Sequence, residues 1–250
     1  MNGFDNSDFP TDNATIRLAA DSITVVAKGC HVEFNRQNSF RLNNGGCKLY
    51  IEDCIVGPQG QPFDPTNGFA INFRAVFSEL VHVRNSTFYN CTRGLTNAQG
   101  EKRYDTFIFE NNTCVNFGIS GAELGRPDRL VFKNNLFVNV GLLGNGWQGD
   151  RDNFGEEWWM FYLDSNVVVI DTTTNETEYI APEVEFTHNH MYMDPGISAF
   201  LPDTSDSPLD SMLYFDEELS GIIAGDPTNQ VIGETFSFTN FPNPTATLGQ

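Results

Sequence analysis

Apolar and polar residues alternate in short runs along much of this chain, and four of the runs share one plan. Val81-His82-Val83-Arg84-Asn85-Ser86-Thr87-Phe88-Tyr89-Asn90 is the first. Phe107-Ile108-Phe109-Glu110-Asn111-Asn112-Thr113-Cys114-Val115-Asn116 is the second, and Leu130-Val131-Phe132-Lys133-Asn134-Asn135-Leu136-Phe137-Val138-Asn139 the third. Glu185-Phe186-Thr187-His188-Asn189-His190-Met191-Tyr192-Met193-Asp194 is a weaker fourth, and Leu49-Tyr50-Ile51-Glu52-Asp53-Cys54-Ile55-Val56 a fainter copy ahead of them. The shared order is apolar, any, Asn, any, any, aromatic or Cys, any, Asn or Asp. Alternation at period 2 predicts strands, and no stretch carries a clean helical stripe. Each unit therefore reads as two short strands meeting at the Asn.

Counted on Asp53, Asn85, Asn111, Asn134 and Asn189, the units are 32, 26, 23 and 55 residues apart. Repeats of this size indicate a solenoid or a propeller. The expected fold is all-β, a right-handed parallel β-helix whose coils stack with strands ~4.8 Å apart. Asn tolerates the left-handed conformation that a tight bend requires, and stacked Asn side chains form a hydrogen-bonded ladder. Phe88, Cys114, Phe137 and Tyr192 should stack inward in the same way. These repeated residues are read as architectural. The 55-residue interval is too long for one coil, so residues 141–182 hold an extra coil or an excursion. Val167-Val168-Val169-Ile170 and Thr177-Glu178-Tyr179-Ile180 predict a β-hairpin there. Residues 1–29 read as a cap, residues 1–194 as the β-helix, and the Pro-rich residues 195–250 as an irregular closing segment of the same domain.

Charge narrows the function. The 250 residues carry 33 Asp and Glu against 14 Lys and Arg, a net charge of −19. Unaided nucleic-acid binding and docking on an anionic membrane both need Lys and Arg, and are excluded as expectations. No apolar run approaches the ~20 residues of a membrane span. Met1-Asn2-Gly3-Phe4-Asp5 begins no signal peptide, so the acidic, Asn/Thr-rich chain reads as the mature part of an extracellular or cell-surface protein. Five Cys cannot all pair, and none are spaced C-x-x-C, so they read as buried free thiols and not as a zinc site.

The segments starting at Asn85, Asn111 and Asn134 resemble coils of the pectate-lyase-like right-handed parallel β-helix superfamily. Those relatives include members of bacterial polysaccharide-utilisation systems and chondroitinase-B-like and alginate-lyase-like proteins. The resemblance covers about residues 80–195. It implies an extracellular protein that either cleaves acidic polysaccharides or binds glycans and builds surface structures. Its lyase form uses a Lys and an Arg from adjacent coils, with Ca²⁺ to neutralise the uronate carboxylate. The four Lys of this chain are Lys28, Lys48, Lys102 and Lys133. Lys102 and Arg126 stand about one coil apart and are the candidate catalytic pair. Asn175-Glu176-Thr177-Glu178 resembles the calcium motif of those relatives, but no Lys follows it, and it reads as the solvated hairpin tip.

All three Trp fall within the excursion. Trp147, Trp158 and Trp159 lie near Asp150, Arg151, Asp152 and Tyr162. Aromatic planes flanked by carboxylate and guanidinium groups suit a sugar ring, and binding residues concentrate on such loops. The alternative is that the rings anchor the excursion to the scaffold. His188 and His190 fall two apart on an expected strand near Asp194, a weak metal pattern that reads as a polar face. No metal site and no cofactor is expected, with Ca²⁺ entering only under the lyase reading. Three functions follow: a non-catalytic glycan-binding or cell-surface β-helix; a Ca²⁺-dependent lyase acting on a uronate polysaccharide by β-elimination; and a structural subunit that self-assembles through its ends or edges. The expected partner is a polysaccharide.

Overall fold

The structure is a computed structural model. It describes residues 14–33, 37–59, 68–73, 77–96, 103–118, 121–124, 126–140, 161–163, 167–170, 177–180, 183–192, 228 and 230–232. Every regular element among them is a strand. The first nine are β1 (Ala14–Leu18), β2 (Thr24–Lys28), β3 (His31–Val32), β4 (Asn38–Leu42), β5 (Cys47–Glu52), β6 (Ile55–Val56), β7 (Phe69–Phe73), β8 (Phe77–Arg84) and β9 (Thr87–Tyr89). Next come β10 (Arg93–Thr96), β11 (Arg103–Glu110), β12 (Thr113–Phe117), β13 (Ala122–Leu124), β14 (Arg126–Lys133) and β15 (Leu136–Val140). The last six are β16 (Phe161–Leu163), β17 (Val167–Ile170), β18 (Thr177–Ile180), β19 (Glu183–Thr187), β20 (His190–Tyr192) and β21 (Gln230–Ile232).

The chain visits three parallel sheets in rotation. Sheet A is ordered β1-β4-β7-β10-β13-β16, sheet B β2-β5-β8-β11-β14-β19, and sheet C β3-β6-β9-β12-β15-β20-β21. One passage through A, B and C is called a rung here. The arrangement is all-β with parallel sheets, as the alternation predicts, and is consistent with a parallel β-helix. Each rung holds three strands, where the repeat alone indicates two, because the sheet A strands carry no Asn signature. The stretch read as a cap already contains β1 and β2. The 55-residue interval contains both alternatives at once. It holds β16, the sheet A strand of a further rung, and then the hairpin, with Val167 opposite Ile180 and Ile170 opposite Thr177.

One apolar cluster draws on all three sheets, with Phe40, Ile71 and Leu95 from A, Val81, Phe107 and Phe132 from B, and Phe88, Cys114 and Phe137 from C. Register converts a repeated residue into a stack. Phe107, Phe132 and Phe186 lie 5.8 Å apart in succession, with ring planes within 12° and 5° of parallel. Offset stacking of this kind adds to the burial of each ring. The inward stack of sheet C is Phe88, Cys114, Phe137 and Met191. Tyr192 stands one position on and packs with Val115 and Val138 in a separate cluster.

The corner between sheets B and C divides its work between two adjacent residues. Asp53, Asn85, Asn111, Asn134 and His188 have φ of 54°, 52°, 56°, 54° and 55°. They make the left-handed bend and are exposed. The next residue, Ser86, Asn112, Asn135 or Asn189, is buried. In the fourth repeat the bend therefore falls on His188, and Asn189 aligns with Asn135, one position from where the repeat alone puts it. The buried amides form the ladder. Asn112 Oδ1 accepts from the Ser86 N–H at 2.9 Å, and its Nδ2 donates to the Val83 carbonyl at 3.0 Å. Asn135 accepts from the Asn112 N–H at 2.9 Å and donates to the Phe109 carbonyl at 2.8 Å. Asn189 accepts from the Asn135 N–H at 3.2 Å and donates to the Phe132 carbonyl at 2.9 Å.

A second row of bends closes sheet C. Asn90, Asn116 and Asn139 have φ of 49°, 56° and 54°, and their side-chain amides link rung to rung at 3.1 Å. Before that row comes Gly57, at φ 133°, where a Cβ would stand 1.9 Å from the Tyr89 carbonyl oxygen. No side chain fits there.

Two stability predictions follow from these contacts. Asn135→Ala leaves the Asn112 N–H and the Phe109 carbonyl unpaired in the interior, and should cost about 2–4 kcal/mol, since each orphaned buried group costs ~1–3 kcal/mol. Asn134→Gly keeps the bend and should change stability by less than ~1 kcal/mol. Urea denaturation of the two variants measures the contrast. Tyr104 is fully buried, and its hydroxyl has no hydrogen-bond partner among the described residues. Burial pushes the phenol well above its ordinary pKa. Tyr104→Phe removes that hydroxyl and should stabilise the protein by about 1 kcal/mol. A lower urea midpoint in that variant would contradict the assignment.

Candidate functional site: a polar column across sheet A

Sheet A departs from simple alternation. Every residue of β4 and of β7 is buried. Phe40 and Leu42 enter the core, and Arg41 stands between them; Ile71 and Phe73 enter the core, with Asn72 between. Alternation directs Arg41 and Asn72 to the other face. The register runs them into one column. Arg17 pairs with Arg41, Arg41 with Asn72, Asn72 with Thr96, Thr96 with Glu123 and Glu123 with Tyr162. Six successive strands thus hold polar residues or Tyr at equivalent positions.

Arg17 at the start of this column is exposed, but Arg41 and Asn72 and the polar residues around them are dry. Asn38, Ser39, Arg41, Asn72 and Arg93 are 3%, 0%, 4%, 5% and 3% exposed. Asn72 Nδ2 donates to Asn38 Oδ1 at 2.8 Å. The Arg93 guanidinium lies 5.5 Å over the Phe69 ring, a cation–π contact. Buried polar groups are costly unless hydrogen-bonded, so a strip of amide, guanidinium and hydroxyl groups away from water marks a place where polar groups are held in fixed positions.

Sheet B is different in kind. Its six strands contain seven of the 14 Lys and Arg and seven of the 33 Asp and Glu, which leaves seven cations against 26 acids in the rest of the chain. One register column reads Lys28, Glu52, Arg84, Glu110, Lys133, with the sign alternating at each rung. Glu52 Oε1 accepts from Lys28 Nζ at 3.0 Å and from Arg84 at 2.7 Å. Lys133 pairs with Glu185 at 3.0 Å, and Lys48 with Glu79 at 2.6 Å. His82 Nε2 lies 3.0 Å from Glu110 Oε1, beside the ring of Tyr50. Hydrogen bonding to Glu79 and its charge hold Lys48 above its ordinary pKa. A general base needs the opposite shift. Lys28, Lys48 and Lys133 are thus ion-paired lysines of a structural wall.

The residues proposed from sequence distribute as follows. Tyr162 lies in β16, at the end of the sheet A column. Arg126 opens β14, and its backbone pairs with that of Arg103, which follows Lys102 in the chain. Lys102, Trp147, Asp150, Arg151, Asp152, Trp158 and Trp159 lie outside the described residues, as do Asn175, Glu176 and Asp194. His188 occupies the left-handed corner while His190 lies in β20, so the two do not share a strand face as the sequence reading has them. Among the described residues no group of three His, Cys, Asp or Glu is placed to hold a metal ion. Sequence reasoning missed Asn38, Ser39, Arg41, Asn72 and Arg93. The available signal was a polar residue between two apolar ones, in Phe40-Arg41-Leu42 and again in Ile71-Asn72-Phe73. Comparisons with protein-family models, with curated proteins and with solved structures find no match to this chain.

The sheet B ladder makes a prediction about acid. Hydrogen bonding to Lys28, with the charges of Arg84 and Lys28, holds Glu52 below its ordinary value of 4.5 against the opposing effect of burial. A carboxylate whose folded pKa is depressed lends stability that is complete above the unfolded value and is lost as pH falls through the folded one. The wild type should therefore lose stability from about pH 4.5 downward, and Glu52→Gln should show a shallower loss in that window. Urea midpoints measured across the acid range test this; parallel acid limbs would refute it.

Proposed function

We propose that the three sheets close around their shared core as a right-handed parallel β-helix of the pectate-lyase-like kind, acting outside the cell as a non-catalytic glycan-binding or surface protein. The polysaccharide lies across the strands of sheet A. The observation that carries this reading is the register column Arg17–Arg41–Asn72–Thr96–Glu123–Tyr162, in which Arg17 is open to solvent and the buried Arg41 and Asn72 hold the sheet behind the glycan without touching it. Parallel pairing repeats positions along the sheet at ~4.8 Å, a regular spacing that suits a repeating polymer. The segment with Trp147, Trp158 and Trp159 directly precedes β16 in the chain, and Lys102 lies in the segment joining β10 to β11. Of the residues chosen from sequence for binding, Tyr162 lies in β16 of sheet A, the strand that the Trp segment directly precedes in the chain. Aromatic planes supply the apolar half of sugar recognition and the solvent-open Arg17 of the column a polar contact. The charge balance points to a neutral glycan, because a chain at −19 repels a polyanion.

The lyase alternative is favoured by one observation, the pairing of Arg103 with Arg126 on adjacent strands. That pairing brings two basic stretches to the same end of sheet B. Under that reading Lys102 and Arg126 supply the base and the charge stabilisation, and Ca²⁺ the neutralisation of the uronate.

Retention on immobilised neutral glycans, alginate, pectate and chondroitin sulfate tests the proposal, with absorbance of a new C4–C5 double bond followed in parallel. We expect retention without absorbance, and Trp158→Ala should reduce retention at least ~10-fold, the loss of one hot-spot aromatic, while circular dichroism stays unchanged. An absorbance rise with a uronate polymer would replace binding by β-elimination. Full retention by Trp158→Ala would remove the Trp segment from the site.

A further inference from the structure

The first rungs replace the corner amide with sulfur. Below Asn112 and Ser86, the same corner column continues through Cys54 to Cys30. His31 pairs with Ile55 and Val32 with Val56, so the residues just before them, Cys30 and Cys54, stand opposite each other on neighbouring rungs. The Ile55 N–H donates to the Cys30 carbonyl at 2.9 Å, which fixes that register at the pair itself. Paired strands lie ~4.8 Å apart. That falls inside the Cα separation of about 4.4–6.8 Å that a disulfide spans. Both thiols point toward the same stretch of backbone. Cys30 Sγ donates to the Lys28 carbonyl at 3.6 Å, and Cys54 Sγ is shared between the Ala27 carbonyl at 3.5 Å and the Glu52 carbonyl at 3.2 Å. Both residues are free thiols here, Cys30 half-exposed and Cys54 buried.

We propose that Cys30 and Cys54 form an oxidation site, a thiol pair that a disulfide-class oxidant converts into a covalent cross-link between the first two rungs. The half-exposed Cys30 reacts first. Its thiolate attacks the oxidant, forms a mixed disulfide and releases one thiol. Cys54 then gives up its proton and attacks Cys30 Sγ, which forms the Cys30–Cys54 bond and releases the second thiol. Two electrons and two protons pass from the pair to the oxidant. Burial raises the Cys54 pKa, so closure of the bond is the slow step and accelerates with rising pH. The other three cysteines, Cys47, Cys91 and Cys114, are buried and take no part. The cross-link closes a loop of about 24 residues, which restricts the unfolded chain.

Incubation of the whole chain with oxidised glutathione, followed by blocking of the remaining thiols and peptide mass mapping, tests the proposal. The expected product joins the Cys30 peptide to the Cys54 peptide with the loss of two hydrogens. Tm should rise by roughly 5 °C or more, the rise should be reversed by a dithiol reductant, and it should be absent from Cys30→Ser. Cys30 is half-exposed, so that variant should fold with an unchanged reduced-state Tm. Recovery of both thiols unmodified after oxidation would overturn the proposal. So would glutathione that stays on Cys30, or a link to any other cysteine.

Discussion

Each corner between sheets B and C leaves two backbone groups that its own rung cannot satisfy. The bend consumes one residue in the left-handed conformation, and the N–H of the next residue then points along the stack with no strand opposite it. The carbonyl two residues before the bend is in the same position. Both groups are buried, where an unpaired donor or acceptor costs as much as a sizeable share of a domain's net stability. One planar amide from the following rung reaches both, and Asn112, Asn135 and Asn189 supply it. The Phe stack, the parallel register and the alternating charges of sheet B all presuppose that the rungs meet in this alignment. A slip of one residue would break every amide pair and turn every core side chain outward.

The charge pattern takes its order from the same register. A chain this acidic has few cations to spare, and half of them stand in sheet B, where each rung offers a sign opposite to the last. Exposed ion pairs are individually weak, but an in-register column makes the wall neutral and discourages any other alignment of the strands. The surplus acid lies in the rest of the molecule. Sheet A keeps the guanidinium groups of Arg41 and Arg93 out of solvent instead, beside amides and an aromatic ring. The two sheets thus spend the same residue type in different ways.

Much of this was legible because the bend demands a rare conformation that few residues tolerate. Asn85, Asn111 and Asn134 announce their corners directly, and the alternating runs beside them announce β8, β11 and β14. The fourth repeat was displaced by one position because His188 takes the bend there and leaves Asn189 as the nearest visible Asn. The same shift put Tyr192 where Met191 packs. Sheet A was hidden for a different reason. Its strands are short, and where both faces are buried the apolar-polar alternation that marks a strand disappears, as in Phe69-Ala70-Ile71-Asn72-Phe73. Arg41 and Asn72 carry no motif of their own. Only the pairing of strands 31 residues apart brings them together.

The amide ladder also has a direction. Every corner amide reaches back to the rung before it, so each rung is completed by the one that follows and none completes itself. Two neighbouring middle rungs are interchangeable in this respect, since each presents the same donor and acceptor to its successor. Duplication of one such unit would leave every junction matched, whereas loss of the final unit would expose a corner with nothing behind it. A gene encoding this protein can therefore lengthen the molecule in whole steps of one strand spacing, like marks added to a ruler, while its two ends stay under separate constraint.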